Sequence, residues 1–150
     1  MNRQSINFLE TKVNDKILFI TSRTENLSKV RDFISIHSAN AGLKTDDIQD
    51  VMLAVDEAVT NIIKHSYSFD PNCEIKIEIV IDKNEFIISI TDKGKSFDPN
   101  SVPEPDIRQY QKEHRVGGFG LYLMKKFMDE VVFTSVPNSY NKTILKKKIS

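Results

Sequence analysis

The spacing of apolar residues changes abruptly near residue 70, from the period of an amphipathic helix to the alternation of β-strands. After the change, EIKIEIVID (74–82) and EFIISIT (85–91) alternate, and Lys83-Asn84 between them suits a tight hairpin turn. Before it, apolar residues recur at helical spacing for about 20 residues. That stripe consists of Ile48, Val51, Met52, Val55, Val59, Ile62 and Ile63. A chain with both patterns has to pack the stripe of a helix against a sheet.

Further elements surround this helix and hairpin. KILFITS (16–22) predicts a strand, residues 25–41 a helix and residues 121–129 another helix. VVFTSV (131–136) and TILKKKI (143–149) predict a second hairpin. Helices followed by antiparallel strands with one inserted helix predict an α+β fold. We expect a two-layer sandwich of a mixed, mainly antiparallel sheet with helices on one face.

The length, net charge and cysteine content of the chain limit which kinds of protein it can be. The 150 residues suit one domain, 1–150, in which about 1–15 form an N-terminal extension. Lys plus Arg and Asp plus Glu number 21 each, and this neutrality argues against a nucleic-acid platform. Cys73 is the single cysteine, so neither an internal disulfide nor a multi-cysteine metal site is expected. With no signal-peptide pattern and no apolar run of about 18 residues, we predict a cytoplasmic protein that does not enter the membrane.

Two polar side chains, Glu57 and Asn61, lie one turn apart on the flank of the apolar helix. Together with Asp50 they share a strip that does not face the core. A solvated helix face would explain such a strip, but asparagine is a middling helix former with no evident reason to stand here. A carboxylate and an amide oxygen one turn apart suit a hard cation such as Mg²⁺.

Two glycine-containing segments are the other candidates. In TDKGKSFDP (91–99), the strand ends at Asp92, and Gly94 permits a sharp turn or a close approach to a ligand. An ordinary strand-to-loop exit has the same composition. In RVGGFGLYLMKKFMDEV (115–131), three glycines precede a helix whose N-terminus could bind phosphate, although a ligand-free hinge is the alternative. Neither GxxxxGK[ST] nor GxGxxG occurs in the chain.

Three segments resemble, in their order along the chain, the nucleotide-binding boxes of the GHKL ATPase superfamily. They are E-A-x-x-N on a helix, D-x-G-x-x-F-D at a strand end and G-G-x-G-L at the start of a helix. The likeness runs from about residue 17 to 149. Within that superfamily, the chain resembles the anti-sigma factor serine/threonine kinases in three features. These are its short length, the absence of a phosphoacceptor-histidine helix and the motif G-L-Y-L-M-x-x-F-M-D-E-V. The resemblance implies a Bergerat-type ATP-binding fold, ATP and Mg²⁺ as cofactors, and an ATP lid at about 99–116.

The resemblance also implies what the protein does. Such kinases phosphorylate an anti-anti-sigma protein of the STAS type, hold a sigma factor and form homodimers, with no direct contact to nucleic acid. A nucleotide-gated protein-binding module without phosphotransfer would carry the same motifs. A detached catalytic domain of a histidine kinase fits the short lid and the single-domain length less well.

Each box residue acquires a role by the same resemblance. Glu57 corresponds to the general base, or water-orienting group, and Asn61 to the Mg²⁺ ligand. Asp92 corresponds to the aspartate that accepts a hydrogen bond from the adenine amino group. The other implied nucleotide contacts are Gly94, Phe97, Arg115, Gly117, Gly118, Gly120, Leu121 and Thr143. The chain departs from the family pattern at Ser96 and Lys142, where glycines are usual, and the second departure makes Thr143 the least secure assignment.

Overall fold

The computed structural model of the protein describes residues 16–96 and 120–150. The elements there are β1 (Ile17–Thr21), a 3₁₀ turn (Thr24–Asn26), α1 (Leu27–Asn40), α2 (Thr45–Asn61), a π-helical turn (Ile62–Ser66), β2 (Glu74–Asp82), β3 (Glu85–Asp92), α3 (Gly120–Phe127), β4 (Glu130–Val136) and β5 (Tyr140–Lys148). The predicted N-terminal extension (1–15) and ATP lid (99–116) lie outside the described residues and stay predictions.

The strands form one five-stranded sheet in the order β1-β2-β3-β5-β4. All four described pairings are antiparallel. The predicted hairpin between β2 and β3 is present, and Lys83 and Asn84 at its turn both have positive φ, as a two-residue hairpin loop of type I′ requires. The α+β class is therefore confirmed, and the described part of the sheet is antiparallel throughout.

One face of the sheet and the stripe of α2 form a single core. Strand side chains alternate between buried and more exposed positions, so that Ile75, Ile77 and Ile79 of β2 are buried while Lys76 and Glu78 are not. From the predicted stripe, Val51, Val55, Val59, Ile62 and Ile63 are buried, and Ile48 and Met52 pack against them. The period of the helix was therefore interpreted correctly.

The end of that helix differs from the expectation. The α-helical pattern ends at Asn61, and a wider π turn carries the chain through Ile62 and Ile63. The backbone N–H of Tyr67 donates to the carbonyl of Ile62 at 2.9 Å, and that of Phe69 to the carbonyl of Ile63 at 2.8 Å. Both isoleucines continue the apolar stripe, so the sequence contains no signal for the change. Single π turns often accompany functional sites.

None of the helices in residues 16–96 and 120–150 combines the length and the apolar character that crossing a bilayer requires.

Candidate functional site

A cleft opens between the end of α2, helix α3 and strands β3, β4 and β5. The space that it encloses is about 30 Å³. Three of the predicted site residues, Asn61, Asp92 and Thr143, come together in its wall although they are far apart in the sequence. The full lining is Ala58, Asn61, Ile62, Ser66, Asp92, Met124, Phe133, Thr134, Asn141, Lys142 and Thr143.

Helix α3 begins directly against the polar strip of α2. A side-chain carbon added to Gly120 would lie 2.8 Å from Oε1 of Glu57 and 3.4 Å from Nδ2 of Asn61. Residues of two separate sequence motifs therefore meet at one point. A larger residue at position 120 would push the flexible end of the Glu57 side chain away, so glycine allows the carboxylate and the amide to lie close to the first turn of α3.

The carboxyl group of Glu57 is half-buried, and burial is the main cause that raises its pKa above the ordinary value. The neighbouring charge of Asp56 acts in the same direction, whereas Lys64 opposes it. Asp56 itself is paired with Arg31, with 2.8 Å between Nη2 and Oδ2. A raised pKa makes Glu57 a better proton acceptor, when ionised, than an exposed glutamate.

Asp92, at the end of β3, is only 3% exposed. Its Oδ1 accepts hydrogen bonds of 2.9 Å from Nδ2 of Asn141 and 2.9 Å from the backbone N–H of Gly94. Burial raises the pKa of Asp92, while these bonds and one from the Ser66 side chain act against the rise. The carboxyl group is thus held in a fixed orientation at the wall of the cleft.

Gly94 has an intramolecular requirement that the sequence did not indicate. A side-chain carbon at this position would overlap the carbonyl group of Ser66 and lie 2.8 Å from Cδ1 of Tyr67. The backbone N–H of the next residue, Lys95, donates to the same Ser66 carbonyl at 2.7 Å. The exit of β3 is therefore packed onto the π turn, and the implied contact of Gly94 with adenine remains a separate prediction.

Replacing Gly94 by alanine should therefore destabilise the fold. The clash is with backbone, which cannot rotate away, so we expect a loss of about 1–3 kcal/mol in the free energy of unfolding. The midpoint of urea unfolding measures it, with Lys95→Ala as a control that changes the same segment at an exposed side chain. An unchanged midpoint for Gly94→Ala would contradict the close packing.

Of the remaining predicted site residues, two lie in the described part of the chain and four lie outside it. Thr143 is 8% exposed and pairs with Ile90 and Phe133 across the sheet, on the wall of the cleft. Leu121 is partly buried and packs against the core. Phe97, Arg115, Gly117 and Gly118 lie outside the described residues.

The structure separates Asp50 from the site. It lies two helical turns before Glu57, where its Oδ2 is 3.5 Å from the ammonium group of Lys147. The same ammonium group donates to the carbonyl of Phe127 at the last turn of α3. The helical wheel correctly placed Asp50 at nearly the same angle around the helix axis as Glu57. A wheel does not show the position along the axis, however, and Asp50 lies two turns away, where it pairs with Lys147.

Asn141 and Ser66 are among the polar residues of the cleft that sequence reasoning missed. Asn141 lies directly opposite Asp92 in the register of β3 and β5. That pairing joins residues 49 positions apart, and local patterns carry no information about it. Ser66 stands just past the predicted helix, and its proximity to Asp92 depends on the unforeseen π turn.

Comparisons with known proteins identify relatives of the chain in sequence and in fold. The family model for the histidine kinase-like ATPase domain matches residues 20–147. The serine-protein kinase RsbW of Staphylococcus aureus is 36% identical over 141 residues, covering 87% of each chain. A structure of the RsbU and RsbW domains of a Mycobacterium tuberculosis protein has a TM-score of 0.60 at 18% identity; the match covers 89% of this chain but 32% of that one. The Pseudomonas aeruginosa SiaB–SiaC complex has a TM-score of 0.62 at 13% identity, covering 87% of this chain and 89% of the other. These two structures share the fold.

Proposed function

The chain belongs to the histidine kinase-like ATPase domain family, and from that premise we propose that it is an ATP-dependent protein serine/threonine kinase that acts as an anti-sigma factor in a partner-switching pathway. One arrangement carries the proposal: Glu57 and Asn61 lie against Gly120 beside a cleft whose wall includes the buried carboxyl group of Asp92. The likeness to a serine-protein kinase over most of the chain supports the same reaction class.

In this proposal Asp92 recognises the base. A carboxylate accepts a hydrogen bond from the adenine amino group, whereas guanine presents a carbonyl oxygen at the same position and would be repelled. Asn141 and the N–H of Gly94 hold Asp92 from within the protein. Thr143, on the neighbouring strand of the same cleft, is proposed to contact the base as well.

The phosphates would lie at the start of α3, beside Gly120. The N-terminus of a helix favours anions, since its backbone N–H groups point outward along the dipole. Phe97, Arg115, Gly117, Gly118 and Leu121 complete the proposed nucleotide contacts by family likeness.

Asn61 would hold Mg²⁺ through its amide oxygen. The described residues contain no group of three or more His, Cys, Asp or Glu side chains that could bind a metal on their own. An ion with one protein ligand fits Mg²⁺, which keeps several waters and takes phosphate oxygens. When bound, Mg²⁺ neutralises charge on the phosphate oxygens.

Glu57 is assigned to the acceptor hydroxyl. The hydroxyl oxygen attacks the γ-phosphorus, the bond from that phosphorus to the bridging oxygen breaks, and ADP leaves. The hydroxyl proton passes to the Glu57 carboxylate. The raised pKa of Glu57 favours this transfer, and its carboxylate lies beside Gly120 at the start of α3, where the phosphates are proposed to bind.

The acceptor is proposed to be a serine or threonine of an anti-anti-sigma protein of the STAS type. A sigma factor as the protein held, and a homodimer as the assembly, follow from the same family likeness. That a protein of the same fold, SiaB, has been solved in complex with SiaC is consistent with action on a protein partner.

A labelling experiment tests the function. Purified protein with γ-labelled ATP, Mg²⁺ and a lysate of its own host should label one small protein, and excess EDTA should abolish the label. Mass spectrometry of the labelled band identifies the acceptor. ATP binding without any labelled protein would contradict a kinase and indicate a nucleotide-gated binding module.

A further inference from the structure

The hydroxyl group of Tyr67 joins two strands beside the candidate base site. It donates a hydrogen bond of 2.6 Å to the carbonyl of Glu74, at the start of β2. It also accepts one of 2.7 Å from the backbone N–H of Lys93. Lys93 lies between Asp92 and Gly94, so the Tyr67 hydroxyl is hydrogen-bonded to the backbone of the turn that orients the Asp92 carboxyl group.

The ring of Tyr67 supports the same turn by packing. Its Cδ1 atom approaches Gly94 so closely that an added side-chain carbon would lie 2.8 Å away. The residue before it, Ser66, accepts the N–H of Lys95 and bonds to Asp92 through its side chain. Ser66 and Tyr67 therefore contact each of the four consecutive residues 92–95, where the chain leaves β3.

The chemistry of the phenol suits this role. Burial is the main cause that raises the pKa of Tyr67 above the ordinary value, so its hydroxyl stays protonated and remains a donor at neutral pH. The residue is itself fixed, because its backbone N–H donates to Ile62 within the π turn.

We propose that Tyr67 is a positioning residue that sets the preference for adenine over guanine by holding the Asp92–Gly94 turn. The inference rests on the proposed function, in which Asp92 accepts the adenine amino group. Only ATP gains from a well-placed Asp92 carboxylate, because GTP has no amino group at that position. Loosening the turn should therefore weaken ATP binding without weakening GTP binding.

Tyr67→Phe tests this, since it keeps the ring and removes both hydrogen bonds. Dissociation constants for ATP and GTP are measured by calorimetry for the wild type, Tyr67→Phe and Asp92→Asn. The ratio of the GTP constant to the ATP constant should fall about fivefold to tenfold in Tyr67→Phe, the effect of about one hydrogen bond, and further in Asp92→Asn. Tyr122→Phe, which removes a hydroxyl from a half-buried tyrosine on α3, should leave the ratio unchanged.

The outcomes separate this inference from the proposed function. If Tyr67→Phe weakens the binding of ATP and GTP equally, whatever its melting temperature, the residue supports the fold alone and the inference is wrong. The same holds if the wild type prefers ATP and Tyr67→Phe keeps that preference in full. A wild type that binds ATP and GTP equally overturns the inference together with the assignment of Asp92.

Discussion

Glu57→Gln is expected to lower the rate of phosphoryl transfer by about 10²–10⁴-fold while ATP affinity stays close to that of the wild type. Glutamine has nearly the same shape, so it can occupy the space beside Gly120, but it cannot accept the hydroxyl proton. Single-turnover transfer from labelled ATP to the acceptor measures the rate, and calorimetry measures the affinity.

Glu78→Gln is the matched control for this variant. Glu78 is paired with Lys76 and lies between the buried residues Ile77 and Ile79, on the face of the sheet away from the helices. Its replacement should leave both the rate and the affinity unchanged. Equal transfer rates for Glu57→Gln and the wild type would remove Glu57 from the reaction.

The pH dependence of transfer provides an independent check. A general base has to be ionised, so the rate should fall as the pH drops through the pKa of Glu57. Because burial raises that pKa, the fall should begin at a higher pH than an exposed glutamate would give. The dependence should disappear in Glu57→Gln; a profile shared by both proteins would assign the titration to another group.

Local patterns predicted much of this fold because they report burial one element at a time. The stripe from Ile48 to Ile63 identified the buried face of α2, and the alternation in 74–82 identified that of β2. The positive φ values of Lys83 and Asn84 agree with a two-residue turn that the spacing alone indicated. In each case the relevant neighbours lie within about ten residues in the sequence.

The same patterns failed where the site depends on distant neighbours. The sequence motif identified Asp92. Its hydrogen-bond partner Asn141 could be identified only from the register in which β3 pairs with β5. For Gly94 the sequence allowed a sharp turn or a close approach to a ligand, but it did not indicate the constraint from the carbonyl of Ser66 at the end of the π turn. Asp50 was grouped with Glu57 because both share an angular position, and Lys147 binds it instead.

The polar strip on α2 therefore divides into two parts with different surroundings. At its N-terminal end, Lys147 links Asp50 to the last carbonyl of α3, Phe127. At its C-terminal end, Glu57 and Asn61 meet the first residue of α3, Gly120. Helix α3 thus packs along the strip of α2, and Glu57 and Asn61 lie beside its first residue, where the nucleotide phosphates are proposed to bind.

Asn61→Ala is expected to weaken the binding of ATP in the presence of Mg²⁺ by about 100-fold, or roughly 3 kcal/mol, since it removes the proposed protein ligand of the ion. Binding of ATP in EDTA should change little, because the contacts at Asp92 and at the start of α3 remain. Calorimetry with and without Mg²⁺ measures both constants. Asn40→Ala, at the exposed end of α1, is the control and should behave as the wild type does.

The comparison between the two conditions decides what Asn61 does. A structural loss at the end of α2 would weaken ATP to the same degree with and without Mg²⁺, since the shape of the cleft is common to both. A loss confined to the Mg²⁺ condition requires that the amide oxygen acts on the ion. If Asn61→Ala retains the full gain in affinity that Mg²⁺ provides, the ion is held elsewhere, and the assignment of Asn61 as its ligand is wrong.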